Sequence, residues 1–305
     1  MTFVSTRVPE LLPAGTVPVG PPKPSLARRL GRRLTTVTLH AVVLATVAMW
    51  LIPTLGLFVA SLRTTADNSA TGWWTALLEP RQLTFDNYGA LLSNPTIVGS
   101  LWNTVLITVP STVLVVVIGA LAAYALAWLR FPGRDWLFVG LVALIVVPVQ
   151  VAIIPNARLF GALGIYGDLT AVIAFHVAFG LPLAVFLLRG FFLAIPRDLL
   201  EAARLDGGTE FTVFRRVVLP LSGPAVASLA TFQFLWVWND LLVALVFATS
   251  ENAPITYALR EQMRAFSSNI DIIAPGAFLS MSVPLVVFFA FQRYFVHGVL
   301  AGSTK

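Results

Sequence analysis

The chain has 305 residues, 57% hydrophobic and only 11% charged, with a formal net charge of +6 and no cysteine. A soluble domain carries about 25% charged residues, so this composition excludes a water-soluble globule and points to an integral membrane protein. The missing cysteines exclude a disulfide framework and a thiolate metal site. The two lysines, Lys23 and Lys305, stand in no glycine-rich loop, so the chain holds no ATP in the Walker manner.

Residues 1–25 are rich in Pro and Gly, lack a hydrophobic period, and read as a disordered tail. Arg28, Arg29, Arg32 and Arg33 form a basic cluster just before an apolar run. Nucleic-acid binding is one reading of that cluster; a membrane anchor obeying the positive-inside rule is the preferred one. The boundary is therefore set at residue 33: a disordered basic tail at 1–33, then a six-helix transmembrane domain at 34–305. The first span falls within 34–62, a run without charge. A helix needs about 20 residues to cross, and a cleaved signal peptide has an apolar core of only about 7–15, so a retained helix is expected.

Residues 63–100 are polar by comparison. Trp73-Trp74 marks the headgroup level there, with sugar stacking as the other reading. Further spans are expected near 102–129, 136–156, 169–188, 224–247 and 276–291. Polar loops are expected at 161–168 and 249–275. The fold class is thus all-α, a membrane protein of six transmembrane helices. Six spans put both termini on one side. That side then holds 15 of the 20 Lys and Arg, and the other side 5. The bias predicts cytoplasmic N and C termini, with a cytoplasmic loop at about 195–222.

That loop is the longest charge-rich island among the spans. Pro196 suits the first turn of a helix, and Asp198 with Glu201 has capping-box spacing. Leu199, Leu200, Ala203 and Leu205 give the helix one apolar stripe. Gly207 and Gly208 end it in a left-handed conformation. Thr209 caps a second short helix through Arg216, and Pro220 and Pro224 punctuate the approach to the next span. The small Ala202–Ala203 face permits close approach by another protein.

Glu201-Ala202-Ala203, three residues, Gly207, nine residues, Val217, one residue, Leu219-Pro220 resembles the EAA loop of ABC importer permeases. Asp206-Gly207 is similar to the sugar-importer, maltose-type branch, where Ala is usual at the position of Gly208. Gln292-Arg293-Tyr294-Phe295-Val296-His297-Gly298 and the residues after it resemble that branch's C-terminus, with His297 where Arg is common. The resemblance spans about 35–305 and implies a type I ABC importer permease fold in the cytoplasmic (inner) cell membrane. It further implies that Glu201, Ala202, Ala203, Leu205, Asp206, Gly207, Gly208, Phe214 and Pro220 couple to an ATPase subunit. The implied partners are a second permease in a heterodimer, an ATPase dimer carrying ATP and Mg, an extracellular sugar-binding protein, the sugar and the lipid bilayer. No cofactor is expected on this chain, and no nucleic acid.

Polar groups inside spans are functional candidates by default. Trp236-Val237-Trp238-Asn239-Asp240 resembles the Trp-Asn-Asp pattern in the fifth helix of sugar permeases. Two readings stand for Trp236, Trp238, Asn239 and Asp240: rings and polar groups along a sugar path, or interfacial anchoring with interhelical hydrogen bonds. Gln150, His176, Gln233 and Gln292 read as interhelical partners. Three scattered histidines make no metal site, and no nucleophile–base motif suggests hydrolysis. The expected function is therefore a permease subunit of an ATP-driven carbohydrate importer, not an enzyme. An importer permease for a non-sugar solute and an ion-coupled secondary transporter are the rivals.

Overall fold

The computed structural model describes residues 26–265 and 270–301, with side-chain surroundings for 35–263 and 270–293. The expectations for the tail at 1–25, the side chains of the basic cluster at 28–33 and those from Tyr294 on, including His297, lie outside the described residues. Among the described residues the chain is helical, and its only β pairing is an isolated Arg63–Leu83 bridge.

Helix α1, Leu26–Ser61, begins before position 34, so the backbone of the basic cluster is helical and continuous with the apolar run. The described chain divides into two compact units at Thr54, and the packing below concerns the unit that starts at Leu55. Between α1 and the next long helix the stretch expected to be loop contains α2 (Thr65–Ala70), α3 (Asp86–Leu92) and two 3-10 turns, Trp73–Leu77 and Pro80–Gln82. Arg63, 0% exposed, organises it. Its guanidinium donates to Gln82 Oε1 (3.0 Å), Asp67 O (2.9 Å), Thr71 Oγ1 (2.5 Å) and Thr75 Oγ1 (3.2 Å). Asn87 of α3 in turn donates to the carbonyls of Ser61 and Arg63 at 3.0 and 2.8 Å. A buried cation is tolerable when its donors are met, and here oxygen dipoles meet them.

Helix α4, Pro95–Trp128, starts where Asn94 Oδ1 accepts the N–H groups of Thr96 and Ile97, with Pro95 in the first turn. It packs along α7 (Leu169–Leu193) and α11 (Gly223–Trp238). Small residues allow the approach: a Cβ on Gly119 would lie 2.9 Å from Ala184 Cβ, and one on Gly180 2.8 Å from the Gln233 amide. Ile107, Val172, Phe175 and Phe247 form one apolar cluster, and Ala123, Leu126, Leu188 and Phe192 belong to a second.

The expected third span at 136–156 is two helices, α5 (Arg134–Ile145) and α6 (Val149–Ala162), bent by 106°. Pro148 lacks the N–H that would continue α5, and it holds Val147 out of the helical region. At 12 and 14 residues each helix is roughly 20 Å long, short of a bilayer's apolar core. The expected fifth span at 224–247 is likewise interrupted: α11 stops at Trp238 and α12 (Leu242–Phe247) resumes after Asn239–Leu241. The expected loop at 249–275 contains α13 (Ile255–Ala265), and its last residues already belong to α14 (Ile270–Ala301). Four described helices are long and apolar enough to cross a membrane, or up to six spans if each bent pair, α5 with α6 and residues 210–221 with α11, counts as one.

Candidate functional site

Residues 194–222 form a helix, a glycine turn and a second helix between α7 and α11. Helix α8, Arg197–Leu205, has Pro196 at its N-cap in extended geometry and no side-chain cap bond. The helix therefore starts ahead of Asp198, and the capping box expected from Asp198 and Glu201 is not formed. The expected single stripe is also divided. Leu200 is 0% exposed and packs into the cluster of α4 and α7, whereas Leu199 and Leu205 face outward, Leu205 at 88%. The two alanines differ too: Ala202 is exposed, and Ala203 rests partly against the core. A spacing of 100° per residue does this, because 200 and 205 lie about 140° apart around the axis.

The turn is closed by the two glycines. Gly208 N–H donates to Ala203 O and Gly207 N–H to Arg204 O, both at 3.0 Å, with Gly207 at φ +82°. This is the Schellman closure that satisfies the last helical carbonyls. The turn is tight at Gly208, since a Cβ there would lie 2.6 Å from Ala203 O. Thr209 then caps α9 (Glu210–Val213), accepting Thr212 N–H at 3.3 Å. A π turn at Phe214–Val218 follows, and Leu219 N–H reaches back five residues to Phe214 O. The next residue, Pro220, has no N–H to offer, so the wider register leaves fewer demands on it. A last turn, α10 (Leu219–Leu221), leads to α11 across a 78° bend.

Two contacts that the sequence reading missed brace this loop, one within it and one to the bundle. Arg204 Nε and Nη2 donate to the two oxygens of Glu210 at 2.9 and 3.1 Å, and Tyr124 of α4 donates its hydroxyl to Glu210 Oε2 at 2.5 Å. The Arg204 hydrogen bond, with help from Tyr124, holds the Glu210 carboxyl below the usual carboxylate range despite partial burial. The same hydrogen bond raises the Arg204 pKa. Tyr124 also packs its ring on Phe214, centroids 5.3 Å apart. Leu200, Val213, Phe214 and Val218 are buried against the α4–α7 cluster. Glu201 lines an arginine-rich cavity with Arg130, Arg134, Arg197 and Arg204. Phe211, 63% exposed, lies outward together with Leu199, Ala202 and Leu205.

The second candidate segment surrounds the break after α11. Trp236 borders a cavity of about 550 Å³ together with Gln233, Phe179 and Gly180. Trp238 points elsewhere: it is 3% exposed and donates Nε1–H to Ser280 O of α14 at 3.0 Å. Asn239 is exposed and donates to Leu235 O at 2.8 Å. Asp240 Oδ2 accepts the N–H groups of Val243 and Ala244 (3.0 and 3.2 Å) and sits 3.7 Å from His176 Nε2. It thus caps α12. Among these residues only Trp236 lines the large cavity.

Apolar spans around a tightly packed α4–α7 pair, with an amphipathic helix–glycine–helix loop left uncovered beside them, define a membrane-embedded transport component. The chain belongs to the family of binding-protein-dependent transport system inner membrane components, whose description matches residues 95–300. It is 46% identical over 272 residues to the osmoprotective compounds uptake permease protein GgtD of Synechocystis, covering 88% of this chain and 91% of that one. The alpha-glucoside transport system permease protein AglG of Rhizobium meliloti is 45% identical, covering 76% and 63%. The trehalose transport system permease protein SugB of Mycobacterium tuberculosis is 34% identical, covering 84% and 92%. Such relatives are permease subunits, so this chain is a permease component and not an enzyme. A chain of a bacterial ABC transporter for import of the acidic polysaccharide alginate superposes with TM-score 0.71 at 21% identity, covering 90% and 100%, and so shares the fold.

Proposed function

We propose that this chain is one permease subunit of an ATP-driven carbohydrate importer, forming half of the translocation pore. Residues 195–222 act as its coupling loop on the cytoplasmic side of the inner membrane. The observation that carries this reading is the uncovered face of the loop. Leu199, Ala202, Leu205 and Phe211 are exposed, while Leu200, Val213, Phe214 and Val218 anchor the loop on the α4–α7 cluster. An exposed amphipathic helix anchored from beneath, with apolar side chains among acids on its outer side, suits a protein partner. The partner is an ATPase subunit of a dimer that carries ATP and Mg; a second permease and a sugar-binding protein complete the assembly. The fifteen-to-five bias of basic residues supports cytoplasmic termini.

In this reading the coupling residues divide the work. Gly207 and Gly208 make the turn, Glu201 sets α8 against the arginines beneath it, and Ala202 and Leu205 meet the ATPase. Phe214 and Pro220 carry the movement through the π turn into α11. ATP-driven closure of the ATPase dimer moves α8 as a lever, and the bundle alternates between inward- and outward-open states. For the substrate path, the lining of the 550 Å³ cavity supports Trp236 as the stacking surface for a sugar ring. Trp238, Asn239 and Asp240 hold the break in α11 that positions it. The relatives named for alpha-glucosides and trehalose support a sugar substrate. The osmoprotective-compound relative favours a second reading, uptake of an osmoprotective solute.

The test is affinity purification of the tagged protein from native membranes with mass identification of what accompanies it. An ATPase and a second permease are expected. Recovery of the chain alone, or as a homodimer without ATPase, overturns the coupling reading and leaves a secondary carrier. Calorimetry of the accompanying binding protein against alpha-glucosides, trehalose and osmoprotective solutes then separates the two substrate readings.

A further inference from the structure

We propose that the arginine-lined cleft between the end of α4, the start of α5 and α8 binds the phosphate headgroup of an anionic phospholipid. Arg130 and Arg134 flank the α4–α5 turn, and Arg197 opens α8. All three line both an inner cavity of about 130 Å³ and an outer one of about 530 Å³. Trp128, Glu201 and Arg204 complete the inner wall. Arg134 pairs with the exposed Asp135 at 3.0 Å and Arg204 with Glu210 at 2.9 Å. Among the described residues Arg130 and Arg197 form no ion pair. Arg197 also lies over the Trp128 ring, 6.0 Å from its centroid. The inner wall therefore offers donors from four arginines against one carboxylate, Glu201. Forked guanidiniums match the oxygens of a phosphodiester.

The surroundings select a lipid over a soluble anion. The outer cavity runs past Phe131 and Trp136 to the start of α5. Trp136 is 81% exposed, and Leu137 and Leu144, seven residues apart on one side of α5, are exposed as well. An acyl chain can follow that apolar face while the headgroup sits on the arginines, with Trp136 at the level where indoles collect. An acidic segment of a protein partner fits less well. Arg197, Leu200, Glu201 and Arg204 follow an i, i+3, i+4, i+7 spacing, so they share one face of α8, turned to the cleft. Leu199, Ala202 and Leu205 lie around the other side of the helix. A bound lipid would tie the start of α5 to the start of α8, bracing the loop from its bilayer side. Juxtamembrane arginines attract anionic leaflets in any case; what is particular here is one cavity that gathers four of them from three helix ends.

The experiment is native mass spectrometry of the purified, delipidated protein in whatever assembly it is recovered. It is titrated with phosphatidylglycerol, with phosphatidylcholine, or with inorganic phosphate. Wild type should retain phosphatidylglycerol at least about tenfold better than phosphatidylcholine, a preference of two charged contacts. Arg130→Gln/Arg197→Gln should bring the two lipids to parity, Arg130→Lys/Arg197→Lys should keep most of the preference, and Trp128→Phe should reduce it a few-fold. Equal retention of both lipids by wild type overturns the proposal, as does an undiminished preference in the Gln pair. Capture of inorganic phosphate without preference between the lipids assigns the cleft to a soluble anion and also overturns it. If the Gln pair fails to fold, Trp128→Phe and the Lys pair still decide. The readout is lipid occupancy, so it stands whether or not an ATPase accompanies the chain.

Discussion

The stretch between α1 and α4 and the stretch between α7 and α11 are both short helices joined by turns beside the bundle, yet they are built on opposite plans. The first is knit together by its own polar groups, although Trp74, Leu77, Leu78 and Phe85 remain exposed on it. Arg63 is buried and collects oxygens from Asp67, Thr71, Thr75 and Gln82, and Asn87 ties α3 to the end of α1. The second is anchored from below by Leu200, Val213, Phe214 and Val218 and tied by Tyr124, Glu210 and Arg204, but it leaves Leu199, Ala202, Leu205 and Phe211 uncovered. The first stretch rests on a local polar hub and the second on apolar burial into the α4–α7 cluster, while exposed apolar side chains occur on both.

The comparison can be broken first at Arg63. Arg63→Met removes every donor at once and leaves its oxygens buried, so a loss of at least about 3 kcal/mol is expected. Thermal unfolding and limited proteolysis after Ser61 would report it, and a variant as stable as wild type would show that the hub is dispensable. Gly207→Val comes next. A β-branched residue at φ +82° costs about 1–3 kcal/mol and opens the turn. ATPase recovery in the pull-down should fall sharply while the spans still insert; normal sugar uptake by this variant would count against the lever.

Tyr124→Phe keeps the ring on Phe214 and deletes one charge-assisted hydrogen bond. About 1–2 kcal/mol is expected, together with looser coupling of ATPase activity to uptake. Glu210 adds a pH signature. Its carboxyl is held low in the folded protein, so its stabilising share is full above the ordinary carboxylate pKa and fades as pH falls through the lowered value. Melting curves should lose stability on acidification below the carboxylate range, and Glu210→Gln should shrink that loss. An equal loss in both proteins would remove Glu210 from the account. The smallest effect on the fold is expected at Leu205, where Leu205→Ser on an 88% exposed site should alter stability by under about 0.5 kcal/mol. The same change should weaken ATPase recovery, which sharpens the contrast between an anchoring and a docking residue.

Much of the fold was legible because it rests on chemistry within a few residues. Apolar runs of bilayer length marked α1, α4, α7 and α14, and Gly207 and Thr209 marked the end of one loop helix and the start of the next. The loop at 249–275 misled because α13 buries Ile255, Ala258 and Leu259 against α4 and α14, a packing that its polar composition does not announce. Of the candidate path residues, nothing local separates Trp236 from Trp238. Which one faces a cavity depends on where α14 offers the Ser280 carbonyl.

By itself the sequence determined the membrane class, the apolar runs that become the long helices and the glycine turn of the loop. Each follows from composition, periodicity or backbone preference, which a chain carries wherever it folds. Only the tertiary structure decided that the third span breaks by 106° at Val146–Pro148, and that Arg63 is a buried hub. It also decided that Glu210 meets a tyrosine 86 positions away and that Leu200 and Leu205 part company. These depend on which distant surface arrives opposite a side chain. Burial and hydrogen bonding are properties of the pair, not of either residue alone.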